Sequence, residues 1–137
     1  MKKALLTISI ALLLMTLPMQ AQESNTRYKK QHIKQITQNL VLALKNNDSP
    51  SMQASAAQTI RQLEWTFPEE PFESLVDPLI LIVKDEKAET SARLLAALAL
   101  DGIHSDTGDN AIENAAANSG NKSMKDLCSA LLIKTGR

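Results

Sequence analysis

Between Ser91 and Leu100 the chain reads Ser-Ala-Arg-Leu-Leu-Ala-Ala-Leu-Ala-Leu, with Arg93 its single charged side chain. Wound into a helix, this stretch is apolar on nearly every side, so it has to be covered on several sides at once. That demand makes a helix over Ala88–Leu100 the centre of whatever fold forms. The rest of the chain supplies neighbours of the right kind, because periods near 3.6 mark five more helices. The first spans Thr26–Asn46, with Ile33, Ile36, Leu40 and Leu44 on one face. The second runs from Pro50 to Trp65, started by a Ser49 cap with proline at the first helical position, and turns Met52, Ala56, Ile60 and Leu63 inward. A third, Phe72–Lys84, contains Pro78 and is expected to kink there. Gly102 is suited to a left-handed cap closing the central helix. A fifth helix covers Thr107–Asn118, capped by Asp106 or Thr107. The sixth, Lys122–Lys134, buries Met124, Leu127, Cys128, Leu131 and Leu132. The aromatics are only Tyr28, Trp65, Phe67 and Phe72, which argues against a β-sandwich or barrel. The expected class is all-α.

The N-terminus reads as an export leader. A basic start, Met1-Lys2-Lys3, precedes an apolar run from Ala4 to Leu17 and then Pro18-Met19-Gln20-Ala21. The run falls short of the roughly 20 residues a membrane span needs, which predicts a signal peptide over 1–21 and a single domain over 22–137. The expected product is soluble, in the periplasm or outside the cell, without stable membrane insertion. Cys128, the only cysteine, lies in an apolar pattern and reads as a small buried hydrophobe.

Charge excludes one class and flags a surface. Without Lys2 and Lys3, 13 basic residues face 15 acidic ones, which is not the balance of a sequence-independent nucleic-acid binder. The distribution is uneven. From Ser24 to Leu63 six basic residues face only Asp48, a balance of +5, whereas from Glu64 to Glu113 twelve acidic residues face three basic ones, a balance of −9. Such a dipolar chain can steer a charged partner or associate head to tail.

Internal similarity organises the helices. The segment from Leu44 to Ala57 superposes on that from Ile82 to Leu95 with an offset of 38, and Ala92–Ala97 superposes on Met124–Ser129 with an offset of 32. The pattern is three helix-turn-helix units, the usual minimum for a stack with a continuous core; a six-helix bundle is the alternative. The residues Asp77-Pro78-Leu79-Ile80-Leu81-Ile82-Val83-Lys84-Asp85, followed by Ser91-Ala92-Arg93-Leu94-Leu95-Ala96-Ala97-Leu98-Ala99-Leu100, resemble a HEAT repeat. The shared features are proline in the first helix, an acidic turn, and a small-residue/Arg pair opening an alanine-leucine second helix. The resemblance implies a short right-handed α-solenoid and gives Asp85 or Glu86, together with Arg93, a structural role between units. The turn is longer than the family pattern, and the other two units carry Ser55 and Lys125 where the arginine belongs.

Two groups of candidate site residues follow. By resemblance, the second helices line a contact surface for another protein: Gln58, Arg61 and Gln62, then Arg93 and Ala97, then Lys125 and Ser129. Arg93 leaves that surface if it makes the internal ion pair. Trp65, in the run Trp65-Thr66-Phe67-Pro68-Glu69-Glu70-Pro71-Phe72, is a potential anchor, although aromatics at a proline turn more often plug a join. The second group, Asp101, His104, Asp106 and Asp109, offers carboxylates and an imidazole in one loop, a weak candidate for a divalent metal. Its plainer reading is helix capping, with Asp109 in a first turn where negative charge is favourable. Phosphate loops, CxxC, HExxH and GxSxG are lacking. The expectation is a non-enzymatic binding or scaffold module without cofactors. A metal-dependent or enzymatic protein using the 101–109 loop, or a self-assembling subunit, is the alternative.

Overall fold

A computed structural model of the chain describes residue 27 and residues 29–136; the predicted export leader lies outside them. The chain divides into two compact units, Met1–Ile36 and Thr37–Arg137, and the helix packing below belongs to the second. Among the described residues the only regular structure is helical. It comprises α1 (29–44), α2 (Pro50–Thr66), a short 3-10 turn (Glu73–Leu75), α3 (Val76–Lys84), α4 (Thr90–Ile103), α5 (Asp106–Asn118) and α6 (Lys122–Thr135).

The turn from α1 to α2 is held by a buried amide. Ser49 caps α2 by accepting from the Met52 N–H at 3.4 Å, with Pro50 in the first turn. Gln53 is buried, and its Nε2 donates to the Leu44 carbonyl at 2.9 Å and to Asn47 Oδ1 at 3.2 Å. This corrects the expected inward face. Met52 is exposed, and the buried stripe is Gln53, Ala56, Ala57 and Ile60. An amide that donates to two acceptors at the turn is worth more there than a thioether, which has no hydrogen to donate; Met52 Sδ stays at the surface and accepts from Asn46 Nδ2 at 3.7 Å.

Pro78 does not kink a long helix. It occupies the first turn of α3, where its missing N–H would have had no intrahelical acceptor in any case. Its ring still forbids an α-helical carbonyl at Ser74, and the chain meets this by running Glu73–Leu75 as a 3-10 turn.

The central helix is longer than expected at its C-terminal end, and its stop differs. Gly102 is helical; the left-handed cap is His104, at φ 58° and ψ 45°, whose N–H reaches the Leu100 carbonyl at 3.3 Å. Helix α5 is capped by Ser105, whose Oγ accepts from the Gly108 N–H at 3.1 Å, instead of by Asp106 or Thr107. Asp106 and Asp109 then lie in its first turn, facing the positive end of the helix dipole. Asn121 caps α6, and Gly136 at φ 72° ends it.

Helix α4 packs against α2, α3, α5 and α6; α3 also packs on α5, and α5 on α6. Its alanines, Ala92, Ala96, Ala97 and Ala99, are buried and let these neighbours approach. Around them Ile60, Leu75, Leu79, Val83, Leu100, Ile112, Met124 and Cys128 are fully buried, each large aliphatic contributing about 1.5–3 kcal/mol.

Candidate functional site

The two ends of α4 hold the molecule's most unusual polar groups. At the N-terminal end Arg93 is only 1% exposed. Its Nε and Nη2 donate to the Val83 carbonyl at 3.1 and 2.8 Å. Nη1 and Nη2 donate to the two Glu86 carboxylate oxygens, each at 3.0 Å. Nη2 also reaches Ser119 Oγ at 3.3 Å, so one guanidinium ties the α3–α4 hairpin to the α5–α6 turn. Asn121 adds a second tie, donating to Thr90 Oγ1 at 2.8 Å. Hydrogen bonding to Arg93 holds the Glu86 carboxyl below its ordinary value. Asp85 is occupied elsewhere: its Oδ1 accepts from the Lys87 N–H at 3.0 Å and its carbonyl from the Ala88 N–H. Arg93 is thus buried with its guanidinium turned to groups of its own fold, and it does not present a contact surface. Ala97 is fully buried as well, because α2 and α6 both pack on α4.

The other surface candidates fare differently. Gln58, Arg61, Gln62 and Trp65 follow one another at helical spacing along α2, and all four are exposed. Trp65 is 90% exposed, so it does not plug the join as expected. It lies about 140° around the helix from buried Ile60. Phe72 is buried and Phe67 half-buried. Lys125 is exposed on α6, and Ser129 is half-buried.

At the C-terminal end of α4 a cleft of about 360 Å³ opens between Glu64 of α2, the segment from Phe67 to Glu73, and Gly102–Ser105. Glu64 is the residue that pattern reading missed. It continues the buried stripe of α2, four residues beyond Ile60 and seven beyond Ala57, and that spacing was the signal available for it. Its carboxyl lies against Gly102, where any Cβ would overlap it. Glycine at 102 thus makes room for a neighbouring side chain and does not serve as a cap. Glu64 Oε1 is buried without a hydrogen-bond partner among the described residues. Burial pushes the Glu64 carboxyl up to about 8; Arg61 opposes this and Asp101 adds to it.

The 101–109 loop does not converge on a metal. No group of three His, Cys, Asp or Glu side chains suited to a metal ion occurs among the described residues. Asp101 is buried near the end of α4, His104 and Asp106 are exposed, and Asp109 sits in the first turn of α5. Cys128 is buried and unpaired with another cysteine; burial pushes its thiol up to about 11, which leaves it a poor nucleophile. Among the described residues no helix is long and apolar enough to cross a membrane. Comparison with protein-family models, curated proteins and solved structures gives no match.

Proposed function

We propose that the chain is an exported, short right-handed stack of HEAT-like helix pairs that binds another protein through the outer stripe of α2 and performs no covalent chemistry. The observation that carries this reading is the exposure of Trp65 at the end of the row Gln58, Arg61 and Gln62. The opposite face of the same helix is seated on α4. A water-exposed tryptophan on a rigid helix is a poor choice for solubility and a strong anchor for a complex. The order of contacts supports the stack: α2 on α4, α4 on α6 and α3 on α5 is the pairing of successive units laid side by side. The Arg93 tie from one hairpin to the next has the same sense.

The partner presents an apolar socket for Trp65 and acidic groups for Arg61 and for Lys125 on α6, in keeping with the basic balance up to Leu63. The test is affinity capture from an envelope extract with the full chain, beside Trp65→Ala and an Arg61→Glu/Lys125→Glu pair. A protein held by the parent chain, released by either variant and held more weakly as salt rises, supports the reading. Truncating an anchor of this kind costs about 2 kcal/mol or more, at least tenfold in affinity. A protein retained equally by all three chains overturns it.

A further inference from the structure

We propose that Glu64 is a pH-driven side-chain switch: when it ionises, its carboxyl leaves the seat against Gly102 and pairs with Arg61 on the outer stripe of α2. Two positions are open to this carboxyl. The occupied one is a seat on α4 that only glycine provides, because a Cβ at 102 would overlap the carboxyl. There Oε1 is withdrawn from water and has no hydrogen-bond partner among the described residues. The other position lies along its own helix. Arg61 is three residues earlier, a spacing at which side chains on a helix surface meet. It is exposed and makes no ion pair among the described residues.

Charge decides between the two positions. A carboxylate that passed over a guanidinium one turn away for a dry seat without a donor would forgo both hydration and pairing. A neutral carboxyl loses far less by sitting there and keeps its contact with the end of α4. The seated geometry is therefore that of the protonated acid. Loss of the proton removes the reason to stay, and the nearest cation is Arg61, on the same helix and on the outside of the molecule.

The charged and titratable groups around Glu64 are Arg61 on α2, Glu70 and Glu73 in the connecting segment, Asp101 near the end of α4 and His104 at the turn into α5. Burial pushes the seated carboxyl up to about 8; Arg61 opposes this and Asp101 adds to it. A carboxyl out in solvent ionises at the ordinary 4.5, so the crossing from one position to the other lies between these values. The seat is filled on the acid side of the crossing and empties as pH rises through it. The consequence for binding rests on the reading of α2 as the contact surface. Below the crossing Arg61 is free to meet an acidic partner, and above it Glu64 competes for the same guanidinium.

Nuclear magnetic resonance of the isotope-labelled full chain, from about pH 4 to about pH 9, tests the switch without any partner. Two signals are followed: the Glu64 carboxyl carbon shift, and the Overhauser contact between the Glu64 side chain and the Gly102 α-protons. The contact is expected at the acid end and should vanish in step with the carboxyl titration, at a midpoint between 4.5 and about 8. Arg61→Gln should keep the contact at the acid end and raise the midpoint by about 0.3, the worth of one such helix pair. Glu64→Gln should hold its contact throughout. It retains every neighbouring group, so a change at Gly102 common to both chains belongs to those neighbours. Should Glu64→Gln fail to fold, Gly102→Ala serves instead, with the contact absent at every pH and the carboxyl ionising near 4.5. A contact that persists while the carboxyl titrates overturns the proposal. So does its absence at the acid end, or a midpoint that Arg61→Gln leaves in place. Failure to capture a partner bears only on the α2 reading, so the two proposals fail separately.

Discussion

Glu86 and Glu64 are the same residue type set against opposite ends of one 14-residue helix: the first meets Arg93 and the second Gly102, about 13.5 Å apart along its axis. They have opposite fates. Glu86 is half exposed yet saturated, receiving both arms of Arg93, and its acidity is strengthened. Glu64 is half-buried and unsatisfied at Oε1, and its acidity is weakened. The N-terminal end of α4 is completed by its own chain, whereas the C-terminal end is left in need of a donor. Burial alone does not decide the behaviour of a carboxyl; the supply of donors does.

The largest effect should come from breaking the completed end. Arg93→Ala removes a fully packed side chain and orphans the Val83 carbonyl, and denaturant melts should show a loss of about 3 kcal/mol. A change under about 1 kcal/mol would mean that the contrast between the two ends is only cosmetic.

The next effect is a slope with pH. Glu64 ionises at an ordinary value of 4.5 when unfolded and at about 8 when folded, so the native state binds the proton more tightly. Stability is then fully present below 4.5 and is lost as pH rises towards 8. Glu86 runs the other way: its folded value is depressed, so its contribution is present above the ordinary carboxyl value and is lost as acid protonates the folded form. Melting temperatures of the parent chain should fall as pH rises from about 4.5 to about 8, and Glu64→Gln should flatten that fall. An identical slope in both across that window would sink the assignment.

Two substitutions at the unfinished end sharpen the comparison at smaller scale. Gly102→Ala gains helix propensity of about 1 kcal/mol while expelling the Glu64 carboxyl. It should melt no lower than the parent and should abolish the slope between about pH 4.5 and 8. His104→Gly relieves a left-handed backbone and should stabilise by about 1 kcal/mol, with the slope retained. At the bottom of the scale is the exposed Lys122–Asp126 pair at 2.7 Å. Lys122→Ala should leave the melt unchanged, since solvent already serves both charges.

Much of the architecture is legible from local chemistry. The Ser49-Pro50 start and the buried alanine-leucine helix follow from spacing and residue type, and the resemblance to a HEAT repeat implies Asp85 or Glu86 as the acid near Arg93. What spacing leaves open is settled by competition between groups. Asp85 and Glu86 are equivalent on paper, but an aspartate at the first turn position folds its short side chain back onto the Lys87 N–H, which leaves the longer glutamate to reach across. Gly102 has the composition of a cap, yet it is needed inside the helix by a side chain 38 residues earlier. His104 takes the left-handed position in its place. Met52 loses its inward place to Gln53 because only an amide can answer the Leu44 carbonyl. The α2 stripe is readable as a helical face, and the same 100° step that buries Ile60 carries Trp65 about 140° away from it, outside the core.

That tryptophan is the only one in the chain, and it is 90% exposed in the folded protein. Its indole meets nearly the same solvent whether the helices are assembled or not. Its emission will therefore stay almost constant through denaturation, and an unfolding experiment read by that light will report nothing while the fold collapses. The same indole shifts its emission only when something covers it, which makes the protein its own optical probe of docking.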